Sequence, residues 1–132
     1  MLQQHLEKLC KELEIKTPKL SEKNLFLFAV ANETVELKDL DPGVALHARI
    51  YELPKKKKEE LFIHLMRANL LGQGTGNARI GLDKDEKFLT LSLGLPYEMN
   101  YQTFKESVED FINYLLFWRD EVVKFQNEES VY

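Results

Sequence analysis

Between residues 104 and 125 the apolar side chains recur in steps of four and three: Phe104, Val108, Phe111, Leu115, Trp118, Val122 and Phe125. That spacing returns to one side of an α-helix at every turn. A stripe so regular commits this end of the chain to a long helix with one buried face, and the rest of the chain must cover that face. Ile112, Leu116 and Val123 lie beside the stripe. The same spacing suits a coiled coil, but coiled-coil seams are built from Leu, Ile and Val, whereas aromatic rings fill many of these positions. The expectation is therefore a single core helix over about residues 100–126, lying across a sheet. Asn100 is its N-cap, and the polar tail Asn127–Tyr132 is expected to fray.

Segments with a period of two supply the sheet. Leu25 to Val30 is a strand-sized apolar run, Ala31-Asn32-Glu33 a turn, and Thr34 to Leu37 a short return strand. Asn24 introduces the first of these, and Asp41-Pro42-Gly43 is a further turn. After it Val44, Leu46, Ala48 and Ile50 alternate with Ala45, His47, Arg49 and Tyr51, the pattern of an antiparallel strand with one packed side. Ala78–Leu82 and Phe88–Leu95, joined by the polar turn Asp83–Glu86, read as a hairpin. Pro96 separates it from the last helix.

Two more helices complete the pattern. Leu2, Leu6, Leu9 and Leu13 stripe a first helix over about residues 1–14, with Cys10 on its flank and Thr17-Pro18 to end it. Pro54 opens a second helix, which carries Leu61, Phe62, Leu65, Met66, Ala68, Leu70 and Leu71 and closes at the glycine-rich turn Gly72–Asn77. Its apolar residues cover more than one stripe, so it buries two sides. One side packs on the sheet, and no spare element of this chain covers the other. The order α-β-β-β-α-β-β-α, with strands clustered, predicts an α+β fold: a twisted, mainly antiparallel sheet packed by helices. At 132 residues the chain makes one domain, 1–132.

Composition removes several classes of function. With 18 basic and 22 acidic residues the net charge is −4, which opposes general nucleic-acid binding. No segment approaches the roughly 20 apolar residues of a membrane span, and the first residues lack the apolar run of a signal peptide. Cys10 is the only cysteine, so neither an internal disulfide nor a multi-thiolate zinc site is available. A reducing cytoplasm suits such a chain.

Candidate chemistry is sparse. The GQGTG stretch (Gly72–Gly76) follows a helix and precedes a strand, the reverse of a phosphate loop, and lacks the lysine and serine such a loop needs. It reads as a helix-ending turn. His5, His47 and His64 form no ligand pair and read as packed or surface residues. Cys10 reads as a semi-buried hydrophobe, Ser92 and Ser107 lack the glycines of a nucleophile elbow, and Glu109-Asp110 lies off the apolar stripe. A small enzyme with a dimer-interface site using His47, Arg49 and Glu52 remains as an alternative, although only His47 and Arg49 share a strand face. Lys55-Lys56-Lys57-Lys58 reads as a solvated first helical turn, or as a contact for an acidic partner protein. No metal or cofactor site is expected.

One stretch carries a resemblance. Leu65-Met66-Arg67-Ala68-Asn69-Leu70-Leu71, the glycine turn Gly72–Gly76 and the hairpin Ala78-Arg79-Ile80-Gly81-Leu82 to Phe88-Leu89-Thr90-Leu91 resemble the class I type III secretion chaperones, the CesT-like family of Tir chaperones. The closing helix with Phe117-Trp118-Arg119 fits as well. The resemblance implies a cytoplasmic bacterial chaperone without catalysis. It implies a homodimer with the second helix and following strand at its interface, for which Leu65, Asn69, Leu70, Ala78 and Ile80 are the matching positions. It implies binding of the N-terminal segment of a secreted effector, held in extended form and secretion-competent. The candidate pocket residues for that segment are Leu6, Leu9, Leu13, Phe26 and Phe28. The secretion ATPase is a further candidate partner. A non-secretory adaptor of the same fold would share every one of these residues.

Overall fold

The computed structural model describes residues 2–18, 25–30, 33–40, 43–70, 75–95 and 99–131. Among these residues eight elements follow in the expected order: α1 (Leu2–Glu12), β1 (Leu25–Val30), β2 (Glu33–Asp39), β3 (Val44–Glu52), α2 (Lys58–Asn69), β4 (Arg79–Leu82), β5 (Phe88–Leu95) and α3 (Tyr101–Val131). The five strands form one sheet in the order β1-β2-β3-β5-β4. Pairs β1/β2, β2/β3 and β4/β5 are antiparallel. Asn24, Ala31-Asn32, Asp41-Pro42, Leu71 to Gly74 and Pro96 lie outside the described residues.

The chain divides into two compact units, Met1–Ala48 with Leu93–Asp110, and Arg49–Ser92 with Phe111–Tyr132. The first is built on strand alternation. Register places Phe26 opposite Leu37, Phe28 opposite Val35 and Leu37 opposite Leu46, and all five are buried. Cross-strand partners share a sheet face, so one apolar layer results. From α1 come Leu2, Leu6, Leu9 and Cys10, and from α3 Phe104 and Val108, all buried. Each large apolar side chain closed off in this way contributes about 1.5–3 kcal/mol. Polar contacts add direction: Lys105 Nζ lies 3.0 Å from the Glu12 carboxylate, and His5 Nε2 donates to the Met99 carbonyl at 2.7 Å while its ring stacks on Phe104.

Helix α1 stops before Thr17-Pro18. Glu14 takes a left-handed φ of 57°, its N–H bonds to the Lys11 carbonyl, and the Ile15 N–H reaches back to Cys10. These two bonds make a Schellman ending, which closes the helix without help from the proline.

In the second unit Ile50, Leu61, Leu65, Leu89, Leu91, Phe111, Leu115, Trp118 and Val122 form the buried layer. The stripe of α3 is thus consumed within the chain, as a core helix and not as a coiled coil. Arg119, at its polar margin, donates from Nε to the Ile50 carbonyl at 2.7 Å and from a terminal nitrogen to the Arg49 carbonyl at 3.0 Å. Asn100 caps α3 as its sequence position predicts, accepting from the Thr103 N–H at 2.8 Å. The helix continues to Val131, beyond the expected stop at 126. No glycine or proline interrupts the tail, so nothing in its backbone ends the helix there.

Helix α2 begins at Lys58, four residues after the expected start at Pro54. Electrostatics explains the delay. Cations at a helix N-terminus oppose its dipole, and starting late leaves Lys55, Lys56 and Lys57 outside while Glu59 and Glu60 occupy the first turn. The cap residue Lys57 has φ 53°, and no side chain caps the helix.

Candidate functional site

Alternation along β1 leaves two apolar faces. Phe26 and Phe28 are buried, whereas Leu27 is 58 % exposed and Leu25 half-buried. β1 is also an outer strand of the sheet, with β4 at the opposite edge. An outer strand offers backbone N–H and C=O groups to an incoming extended chain, and alternate side chains provide its selectivity. Four of the five expected pocket residues, Leu6, Leu9, Phe26 and Phe28, are closed into the core of their unit, while Leu13 is 43 % exposed. Leu27 and Leu40, both largely exposed, are the apolar residues of this unit that sequence reasoning did not single out. Leu25-Phe26-Leu27-Phe28 is apolar on both faces, and the structure buries only the face of Phe26 and Phe28.

Charges around α1 are settled locally. Lys105, and after it the Tyr101 hydroxyl, hold the Glu12 carboxyl below its ordinary range. Burial, followed by the Glu12 carboxylate, pushes the Tyr101 phenol up to about 12, so it stays neutral at physiological pH. Cys10 is fully buried, deeper than expected, and burial raises its thiol against a weaker opposing bond from Thr17. Such a thiol is a hydrophobe and not a nucleophile.

The second surface belongs to α2 and β4. Leu61, Leu65 and Ala68 face inward, while Ile63, Met66 and Leu70 are each more than half exposed. Their spacing of three and four puts them on one side of the helix. The two-sided reading of this helix is what the exposure pattern displays, with Ile63 as the member sequence reasoning missed. Of the expected interface residues, Leu65, Ala78 and Ile80 are buried within the unit and Leu70 is exposed. Asn69 has another task. Its amide donates to the Ile80 carbonyl at 2.9 Å and accepts from the Ile80 N–H at 2.8 Å. Both backbone groups of one strand residue point to the same side, so Asn69 occupies the edge of β4 at that residue.

Of the residues of the enzyme alternative, Arg49 is engaged in packing. Arg49 lies 4.3 Å above the Phe88 ring, Glu52 is exposed and His47 half-buried. His64 meets the edge of Trp118 at 5.6 Å, in a groove of about 330 Å³ that Leu61, Val122 and Phe125 also line. Among the described residues no three His, Cys, Asp or Glu side chains group as a metal site would require, and no helix is long and apolar enough to cross a membrane.

A second cleft, of about 450 Å³, lies where β3 passes into α2. Tyr51, Glu52, Leu53, Pro54, Lys55, Lys56 and Gln126 line it.

The model of the Tir chaperone protein (CesT) family matches residues 4–119. No curated protein matches the chain in sequence. Among solved structures, a chain of the ExsC–ExsE complex superposes with a TM-score of 0.74 at 14 % identity, over 90 % of this chain and 91 % of that one. A chain of the heterodimeric ExoU–SpcU complex from the type III secretion system of Pseudomonas aeruginosa gives 0.68 at 11 %, over 94 % and 96 %. The Yersinia pestis type III secretion chaperone SycH, in complex with a stable fragment of YscM2, gives 0.67 at 16 %, over 89 % and 98 %. At such identities these likenesses are of fold.

Proposed function

The chain belongs to the Tir chaperone protein (CesT) family, and from that premise we propose that it is a cytoplasmic, homodimeric chaperone of a type III secreted effector. It binds the effector's N-terminal segment in extended form, keeps that segment unfolded and secretion-competent, and acts without catalysis. The observation that carries this reading is the outer strand β1, with Leu27 turned to solvent and Leu13 exposed in the same unit. An extended segment adds to that edge by backbone hydrogen bonds, and its apolar side chains cover these leucines. Leu6, Leu9, Phe26 and Phe28 then form the floor beneath the contact. The second copy covers Ile63, Met66 and Leu70, the apolar side of α2 that its own unit leaves bare. The likeness to chains of the ExsC–ExsE and ExoU–SpcU complexes supports the assignment.

Affinity purification from the native cell tests it. A secreted protein should co-purify through its N-terminal segment, and a Leu27→Lys variant should lose it while remaining folded. The secretion ATPase is the further partner to look for. Recovery of partners that are never secreted would favour a non-secretory adaptor of the same fold. Sedimentation should give about 31 kDa, twice the 15.5 kDa of one chain. A monomer at micromolar concentration would overturn the dimer.

A further inference from the structure

We propose that the cleft between the end of β3 and the start of α2 binds a short acidic segment of a partner protein, distinct from the segment that pairs with β1. Lys55 and Lys56 stand on its wall, and Lys57 and Lys58 continue the run. All four are exposed, and among the described residues none of them forms an ion pair. In a chain of net charge −4, four consecutive unneutralised ammonium groups are a local reversal of sign. Their repulsion is retained and not relieved, since the carboxylates next to them in sequence, Glu59 and Glu60, pair with none of the four.

Three features make this more than a solvated loop. The cleft has about 450 Å³, within the range of pockets that take ligands. Its wall is mixed: Tyr51 and Leu53 offer apolar surface beside the ammonium groups, and the Gln126 amide can both donate to and accept from a peptide backbone. It is also held in shape. The Leu53 N–H bonds to the Lys87 carbonyl at 2.8 Å, Pro54 is buried, and the cap residue Lys57 keeps a left-handed φ of 53°, with Lys55 and Lys56 before the helix. The start of α2, which no side chain caps, adds unsatisfied backbone N–H groups to the same positive end.

Charge complementarity names the occupant. A nucleic acid or an anionic bilayer presents an extended negative surface, which Glu52, Glu59, Glu60 and the overall charge oppose. A short peptide places its carboxylates only where the lysines are, and seats one apolar side chain on Tyr51 and Leu53. This assignment stands apart from effector binding at β1, and either can fail without the other.

The test is fluorescence anisotropy on the full chain with a fluorescein-labelled decapeptide of glutamate containing one central leucine. Binding should weaken about tenfold or more from low to physiological ionic strength, as charge-steered contacts do. It should fall about tenfold in Lys55→Glu/Lys56→Glu and stay unchanged in Lys16→Glu/Lys84→Glu, which alters net charge equally elsewhere. Replacing the central leucine with glycine should weaken it severalfold. Circular dichroism should show all variants folded. Equal losses in both double variants, or no binding by the unaltered chain, would overturn the proposal. So would tighter, Lys55- and Lys56-dependent binding of a DNA duplex or of phosphatidylserine vesicles.

Discussion

At Gly76 the backbone takes φ +63°, and a Cβ there would stand 3.0 Å from Cε2 of Tyr114. Conformation and space both reserve the position for glycine. Gly76→Ala should lower stability by about 1–2 kcal/mol, read as a reduced midpoint in urea with unchanged slope. Asp83 is the second residue whose chemistry fixes a turn. Its carboxylate accepts from the Lys87 and Phe88 N–H groups at 2.8 and 3.2 Å, in the hairpin between β4 and β5. Burial raises its pKa, but those two bonds together with Arg49 and Lys87 outweigh it and leave the value below that of an ordinary aspartate. A carboxylate so depressed stabilises the fold above the unfolded pKa, and that contribution disappears as pH falls through the folded value. Thermal melts of the unaltered chain and of Asp83→Ala should therefore differ at neutral pH and converge at about pH 2.

At the scale of elements, the two edges of the sheet are treated differently. β4 is closed at Ile80 by the two Asn69 bonds, whereas β1 is the outer strand that displays Leu27. Unprotected edges invite pairing with other chains, so a closed edge at Ile80 fits the proposed strand addition at β1. Asn69→Ala removes both bonds and leaves the Ile80 groups in need of water. It should cost about 1–3 kcal/mol in denaturant unfolding, more than an exposed helical Asn→Ala change would. Helix α2 teaches a related point about boundaries. Its lysine run was legible as a conflict with the helix dipole, but only the fold resolved that conflict, by delaying the helix to Lys58. The Schellman ending of α1 is similar, because its αL residue is Glu14 where a sequence signal would be glycine.

For the whole molecule, the apolar row Ile63, Met66 and Leu70 is left exposed by its own unit, each member more than half exposed. A Met66→Glu change places a charge in the middle of that row and removes no side chain from the buried layer. The proposed dimer should then sediment as a monomer of unchanged helicity, while the cleft beside Lys55 keeps its affinity for the acidic decapeptide. If the variant stays dimeric, a different surface joins the two copies. The CesT family membership is carried by a match over residues 4–119, spanning both units, and not by any catalytic residue.

The sequence by itself determined the order of elements and most of their inner faces. Val44, Leu46, Ala48 and Ile50 are buried as period two required, and Phe104 through Val122 as the four-three spacing required. Periodicity is a local property, set by the pitch of helix and strand, so it can be read from one segment alone. What only the tertiary structure decided is which of two apolar faces turns inward when both are apolar. Leu27 rather than Phe26 or Phe28 faces solvent on β1, and Ile63, Met66 and Leu70 do so on α2. Leu6 and Leu9, expected at a pocket, are core. That choice depends on which neighbours the strand and helix receive from distant parts of the chain, and burial is a contest among all of them that no single segment records.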